Sequence, residues 1–566
     1  MYAISYASRL TVFQVFNMTQ SYILVEGVNI YANVLDTNQL SVIRGTSFLL
    51  KDAIDAVTAE FNNQLKAIST GASSGLYLVN PSKKQAETIV NQISEYLNKG
   101  GEDFSLLTFI VESCEANNLL EAKEKLLTQL RIRQMRSLIA VPDIQYNDDL
   151  NRPDQLEGRR VARKSHHYKV QSDSRRYLSD SVYRRWDYGK EKKFDFYFDQ
   201  KTKGYIHADD KDSLIASIKE KGFYNDFEQL AENSAYQKLN NKLAVIYMDG
   251  NSFSKKQRVY IKKAGDQIEA QLKAQEDFDK KIQGYRANFI FQLLKKYHVQ
   301  ENSEKIRLET LLWGGDEMLF VVPAWLGFDL LQFFFEQSKD WELDDDNPLT
   351  HAAGLVFCHA KTPIANIRTL AQSIADTIKD TPEGRKQNAW GYLVLESIDY
   401  PSNNNIHDFN QKYYDQALAD SKPALIPAFK TGAGGSFNDI KQALDRLIEQ
   451  KLLSTRQLYK IVYAIKNNQD NIDGVNKTWD QLKDSQKDAD SNSDDKIHPV
   501  EKQEFRLLQL AKDKGALSDN LKIVAGLFAI DINNTKERLW FWIYLYELWD
   551  YLNPKPDSDK ETGGQP

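Results

Sequence analysis

Two short stretches place acids where catalysis could use them. Asp249 ends the apolar run LAVIYM (243–248) and is followed by Gly250. Asp316 and Glu317 follow Gly314 and Gly315 in a turn between LETLLW (308–313) and MLFVV (318–322). An acid at the end of a buried strand is costly unless a cation or a hydrogen-bond donor satisfies it. Glycines suit the positive-φ positions of a tight hairpin and let a backbone approach a ligand. If the strand ending at Asp249 lies beside the hairpin strand, Asp249 and Asp316 face each other across neighbouring strands. Two carboxylates held that way make a hard oxygen site for Mg²⁺ or Mn²⁺, with the Gly250 carbonyl as a third ligand. Glu317 is then a second-metal ligand or a base. One or two such ions would bind a triphosphate, help to ionise an attacking 3′-hydroxyl and stabilise charge on departing pyrophosphate. Alone, GGDE is usually a hairpin turn with solvated acids. Its combination with Asp249, at strand ends in that order, carries the metal–nucleotide reading.

The elements that must position these acids occur twice. LAVIYMDGNSF (243–253) leads through a long helical region to the hairpin LLWGGDEMLFVVP (311–323). A helix (328–337), the strand HAAGLVFCH (351–359) and a helix (367–379) follow. Earlier, SYILVEGVNIY (21–31) leads through a helix (46–68) to STGASSGLYLVNP (69–81), then a helix (86–97), a strand (104–113) and a helix (119–132). The order is β-α-β-β-α-β-α both times, and its first six elements are the split βαβ, or ferredoxin-like, plan. Glu26-Gly27 falls where Asp249-Gly250 falls, and Gly71-Ala72-Ser73-Ser74 falls where Gly314-Gly315-Asp316-Glu317 falls. Serines cannot replace carboxylates on Mg²⁺, so the first copy is degenerate.

The 566 residues, 42% apolar and 27% charged, suit a soluble α+β chain of about three or four domains. We expect a degenerate palm-like domain at 1–140, a polar segment rich in Arg, Tyr and Asp at 141–240 and a catalytic palm at 241–400. A helical domain at 401–552, interrupted by a solvated loop at about 467–498, and a disordered tail at 553–566 complete the chain. Within the polar segment FDFYFD and KGYIHA look strand-like. The two cysteines, Cys114 and Cys358, sit in apolar runs and read as buried thiols, and no CxxC pair offers a zinc site. With no signal-peptide pattern and no apolar run of about 20 residues, a cytoplasmic protein without membrane contact is expected. The net charge of −6 neither demands nor excludes nucleic acid.

MDGN at 248–251 with WGGDEML at 313–319 resembles the second palm domain of the large subunit of type III CRISPR effector complexes, which makes cyclic oligoadenylates. More distantly it resembles GGDEF diguanylate cyclases. The resemblance implies that Asp249 and Asp316 bind the catalytic metals and that Gly250, Asn251, Ser252, Phe253, Gly314 and Gly315 lie at the nucleotide. It continues through 351–380, where a strand enters a loop with His359, Lys361 and Pro363 and a helix ends in Lys379, which would meet the triphosphate. RGTSFLL at 44–50 resembles the first palm. There Ser73, Ser74 and Gly75 would lie close to an acceptor nucleotide. The resemblance further implies ATP or another NTP as substrate, an RNA or protein activator and a downstream effector responding to the product. Departures are plain: GGDE replaces GGDD, the four-cysteine zinc segment is absent, and so is the His-Asp nuclease. His407-Asp408 reads as incidental. The chain looks like a compact stand-alone relative from an antiphage signalling system.

Other features have plainer readings. Basic and aromatic residues interleave at 159–170 and 175–193, a pattern that can track nucleic acid, but the acids among them favour a solvated insertion packed on the palms. Phosphate contacts from Arg184, Arg185 or Lys190 are the lesser reading there, and His166-His167 reads as surface. GAGGS (432–436) reads as the entry to a helix and the aromatic WFWIYLYELWDYL (540–552) as a buried helix. Three function classes follow: an enzyme, a non-catalytic nucleotide or ligand sensor, and an RNA-binding scaffold. The acid pair favours the first.

Overall fold

Short apolar runs such as ILV at 23–25 and LAVIYM at 243–248 become the central strands of two sheets, buried on both faces. The computed structural model describes residues 19–556 except 30–33, 35, 38, 72, 81–84, 100–102, 137–151, 170–174, 199–201, 203, 225, 301–303, 345–346, 397–413, 415–417, 420–421, 424–425, 429–435 and 485–496. His407-Asp408, all of GAGGS but Ser436, and the tail beyond 556 lie outside the described residues. The described residues within 1–30, 49–143 and 257–279 form unit 1, and those within 31–48, 144–256 and 280–566 form unit 2. Segment 31–48, expected in the first domain, thus groups with unit 2, and 257–279, expected in the third, groups with unit 1. No helix of the described residues is long and apolar enough to cross a membrane.

In unit 1 the chain runs β1 (Gln20–Val28), α1 (Leu40–Glu60, its second half here), β2 (Leu65–Thr70), β3 (Ser74–Val79), α2 (Ala86–Leu97), β4 (Thr108–Ala116) and α3 (Leu119–Arg136). The sheet order is β2-β3-β1-β4, antiparallel throughout. Helix α3 buries Leu119, Ala122, Leu126 and Leu130, a stripe at helical spacing, against Tyr22, Leu24 and Ile110. On the opposite face the Tyr77 hydroxyl meets Thr58 Oγ1 at 2.9 Å and donates to the Ile54 carbonyl of α1 at 3.3 Å.

In unit 2 a short hairpin, β5 (His167–Lys169) and β6 (Arg175–Tyr177), precedes α4 (Asp180–Glu191). Then come β7 (Lys242–Gly250), α5 (Phe253–Lys263, only 253–256 here), α6 (Ile268–Gln300, from 280 on here), β8 (Glu309–Gly314), β9 (Glu317–Pro323), α7 (Gly327–Ser338), β10 (His351–His359), α8 (Ile364–Lys379) and β11 (Ala389–Val394). With β12 (Ile426–Pro427) the strands order β12-β11-β10-β7-β9-β8, and only β10–β11 is parallel. Side chains alternate across a strand. Phe357 meets Phe328 of α7 on one face, while Gly354 lies under Ala371 of α8 on the other.

The duplication read from sequence reaches the backbone. β8-β9-β7-β10 repeats the order β2-β3-β1-β4. Glu26 pairs with Ser74 as Asp249 pairs with Glu317. The hairpins even share a register shift, between Ala67 and Ser69 in one and between Thr310 and Leu312 in the other.

Among its described residues, parts of the polar segment are packed. Arg185 of α4 is buried and pairs with Asp36 at 2.7 Å. Gly45 and Gly189 let α1 and α4 cross so closely that a Cβ on Gly45 would lie 1.8 Å from the Arg185 carbonyl oxygen. The stretch expected to be strand-like at FDFYFD is instead helical over Lys193–Phe198. Lys193 is held at 2.9 Å by Glu309, which also takes the Arg44 guanidinium at 2.8 Å. Part of the expected loop at 467–498 folds as well. Trp479 begins a helix (Trp479–Asp484), is fully buried and donates its indole N–H to Ser518 at 3.1 Å.

The helices between 437 and 552 share unit 2, and Phe437 stacks on Phe328 with centroids 6.1 Å apart. The aromatic C-terminal helix is buried as expected, and within it Arg538 pairs with Glu504 at 2.8 Å, both side chains fully covered. Neither cysteine forms a disulfide; Cys358 is buried as expected but Cys114 is half-buried, and burial pushes the Cys114 thiol up to about 11 and the Cys358 thiol up to about 12.

Candidate active site

The site is built where β7 ends beside the β8–β9 turn. Asp249 is directly opposite Glu317, and alternation puts Tyr247 on the same face as both. This is the face covered by α8. Asp316 sits in the turn itself, which Gly315 closes at φ +46°, as the glycine pair implied. The turn lies against Gly250: a Cβ there would be 2.8 Å from Asp316 Cβ and 3.3 Å from its Oδ2. Glycine is required at 250 by this approach. Helix α8 runs back over the sheet and ends in Lys379, whose Nζ donates to the Gly250 carbonyl at 3.0 Å and pairs with the Asp249 carboxylate. Both members of that pair are only 12–13% exposed.

The carboxylates are crowded. Burial, then the Asp249 charge, pushes Asp316 up to about 7. Glu317 is raised by burial and by Asp249, with Arg368 opposing. Asp376 of α8 is raised for the same two reasons. Tyr247 is held protonated by burial first and then by the charges of Glu317, Asp249 and Asp376. Such a cluster is short of positive charge. Among the described residues no group of three or more His, Cys, Asp or Glu is placed to hold a metal ion. A divalent ion here would therefore rest on one or two carboxylates, a backbone carbonyl and oxygens from substrate, which is how Mg²⁺ is commonly held. The donor set fits: Asp249, Asp316 and the Gly250 carbonyl are hard oxygens. A cation, the Lys379 ammonium, already bridges Asp249 and the Gly250 carbonyl.

Not every expected residue faces this cluster. Asn251 is buried, and its Nδ2 donates to the carbonyls of Gly384 (2.9 Å) and Gln387 (3.0 Å) and to Thr350 Oγ1 (3.0 Å). It fixes the loop and has no free donor for a nucleotide. Ser252, at φ +54°, turns the chain into α5, and the Phe253 ring lies 3.4 Å from where a Gly250 Cβ would be. Gly314 ends β8, half-buried. His359 and Lys361 lie at the far end of β10, since His359 pairs with Lys242 while Ala352 pairs with Asp249. Of that motif only Lys379 reaches the acids. Arg184 pairs with Asp180 at 3.7 Å, Lys190 covers Trp186, and Arg185 is buried on Asp36, so Arg185 is no phosphate contact.

In unit 1 the equivalent turn is closed on itself. The Ser73 carbonyl accepts from Gly27 N and the Ser74 carbonyl from Gly71 N, both at 2.7 Å. The space expected to admit a ligand beside Gly75 is taken by the Tyr77 side chain, whose ring carbons Cε2 and Cζ lie 2.7 Å from where a Cβ would be. Glu26 keeps a basic partner, Arg131 at 3.8 Å, as Asp249 keeps Lys379. Sequence reasoning missed Arg368, Asp376 and Tyr247. The helical spacing 368-376-379 and the period-2 step from 247 to 249 are the signals that could have found them.

No protein-family model and no curated protein matches this chain. Solved structures do. The Csm1–Csm4 cassette in complex with cA4 is 13% identical, with a TM-score of 0.42, and the alignment covers 80% of this chain and 63% of that one. The same cassette in complex with one ATP gives 13%, 0.44, 80% and 64%, and Csm1 of T. onnurineus gives 14%, 0.40, 79% and 64%. The chain spans less than two thirds of the length of the Csm1 chains it matches.

Proposed function

We propose that this chain is a metal-dependent nucleotidyltransferase or cyclase. It joins nucleotides from ATP or another NTP by attack of a 3′-hydroxyl on an α-phosphate, releasing pyrophosphate and giving a cyclic oligonucleotide or mononucleotide. The observation that supports this best is the single cluster at adjacent strand ends: Asp249 opposite Glu317, Asp316 against Gly250, and Lys379 on Asp249. We read both sheets as split-βαβ palms, the first degenerate and suited at most to an acceptor nucleotide near Ser73 and Ser74.

Asp249, Asp316 and the Gly250 carbonyl would hold Mg²⁺ or Mn²⁺, which when bound supplies charge neutralisation for the triphosphate. Lys379 lies beside those ligands and would take a phosphate oxygen. Glu317, with its raised pKa, would accept the proton of the attacking hydroxyl. Tyr247 stays protonated and offers Glu317 a donor. The cytoplasmic, antiviral signalling setting, an RNA or protein activator and a responding effector enter the proposal through the motif resemblance alone.

The test is incubation of the full chain with each labelled NTP and Mg²⁺ or Mn²⁺. Pyrophosphate should appear with at least one NTP and be lost by a factor of about 10² or more in Asp316→Ala. If nucleotide raises the melting temperature but no pyrophosphate forms, the site is a sensor and the enzyme reading fails.

A further inference from the structure

A second cation borders the acidic turn on the other face of the sheet. Trp313 is opposite Met318, so it points away from Asp249 and Glu317, toward α6. There the Arg286 guanidinium lies over the Trp313 ring, 4.4 Å from its centroid. Its Nε and Nη2 are shielded from solvent and have no hydrogen-bond partner. Burial pulls its pKa down to about 10, opposed by the Asp316 carboxylate, so it is charged at neutral pH. Arg286 is half-buried, and two shielded donors left unused are expensive to keep. Stacking on an indole recovers only about 0.5–2 kcal/mol, and Asp316 makes no hydrogen bond to those two atoms. What would satisfy them is an anion with oxygens arranged for a planar fork.

We propose that Arg286, steadied by Trp313, is a polyphosphate-binding residue that takes phosphate oxygens on the α6 side of the turn while Lys379 serves the α8 side. The anion is the phosphate chain of a nucleotide or the pyrophosphate it releases. This rests on the proposed function for the identity of the nucleotide, but the anion site itself does not depend on turnover.

Titration calorimetry and thermal unfolding of the full chain separate the possibilities. The proteins are wild type, Arg286→Met and Arg286→Lys, and the probes, each with Mg²⁺, are ATP, pyrophosphate and adenosine. Arg286→Met should melt at or above the wild-type temperature without ligand, because two shielded donors without hydrogen-bond partners are gone. It should bind ATP at least tenfold more weakly. Arg286→Lys should fall between, since it keeps the charge and loses the fork. A matching loss for pyrophosphate assigns the leaving-group end, and a loss for ATP alone assigns the substrate chain. Adenosine should not respond. Equal ATP and pyrophosphate affinities in wild type and Arg286→Met overturn the proposal, as does a wild type that binds neither anion. A lower melting temperature with unchanged affinity makes Arg286 a structural prop for Trp313. Should Arg286→Met not fold, equal affinity in Arg286→Lys overturns it. Pyrophosphate release by a wild type whose ATP binding ignores Arg286 sinks this inference and leaves the enzyme reading. Arg286-dependent anion binding with no release from any NTP does the reverse.

Discussion

Gly250 is where one atom matters most. Its Cα lies so near Asp316 that an added methyl would meet the Asp316 Cβ at 2.8 Å, under any normal contact. The strand around it is well packed, so the turn rather than β7 would yield. Displacements well under 1 Å cost catalysis more than stability, because reactive geometry is steep and turn energetics are not. Gly250→Ala should therefore lower pyrophosphate release at least tenfold while shifting the urea midpoint little. A variant with full activity would show that Asp316 need not sit there. Asp249, Gly250, Asp316 and Glu317 were legible because residue type and strand-end position together restrict their chemistry. Asn251 was not. Its role as a bolt depends on carbonyls 133 and 136 residues further on, which no local pattern reveals. Arg286 and Arg368 look like ordinary helix-surface cations until the fold covers one and turns the other toward Glu317.

At the scale of elements, the position of Lys379 is set by how deeply α8 is seated. Gly354 and Gly391 are cross-strand partners in β10 and β11, and together they leave a shallow trough in the sheet. Helix α8 lies in it. A Cβ on Gly354 would be 1.9 Å from the Ala371 carbonyl oxygen, and one on Gly391 would be 2.7 Å from Ile374 Cγ2. Neither a helix carbonyl nor a β-branched core side chain gives way easily. Gly354→Ala should cost about 3 kcal/mol in urea unfolding and weaken ATP binding, since lifting α8 moves Lys379 off Asp249. Gly391→Ala should do less of both. Wild-type stability in Gly354→Ala would refute the close seating. Element order was readable because strands buried on both faces stand out as unbroken apolar runs between helical periods. The pattern failed where tertiary contacts overrode it. FDFYFD alternates like a strand, yet it continues directly from α4 as a helix that anchors Lys193 on Glu309. The polar stretch around Trp479 was read by composition, and its scattered apolar side chains, Ile472, Val475, Trp479 and Leu482, all buried, were the better guide.

The whole molecule carries the same sheet twice with different chemistry. Strand order, the register of the acid-bearing strand and the irregularity in the hairpin are common to both copies. Each acid even keeps a basic partner from the helix after the fourth strand, Arg131 on Glu26 and Lys379 on Asp249. What differs is the carboxylate supply at the turn. Glu26 faces Ser74 and a closed loop, whereas Asp249 faces Glu317 with Asp316 beside it. A divalent ion needs more than one hard anionic oxygen, so cation affinity should belong to the second copy alone. An ion that binds only the folded chain at 100 times its Kd adds about 2.7 kcal/mol to stability. Thermal unfolding with and without Mn²⁺ should thus show an upward shift in wild type. Glu26→Gln should keep that shift in full, because the mutation touches a copy with too few ligands. Asp249→Asn and Asp316→Asn should lose most of it, and Asp316→Asn should melt no lower than wild type in the absence of metal, since it relieves a crowded acid cluster. A shift that survives in Asp249→Asn but vanishes in Glu26→Gln would place the cation in the other sheet and dissolve the division of roles argued from the turns.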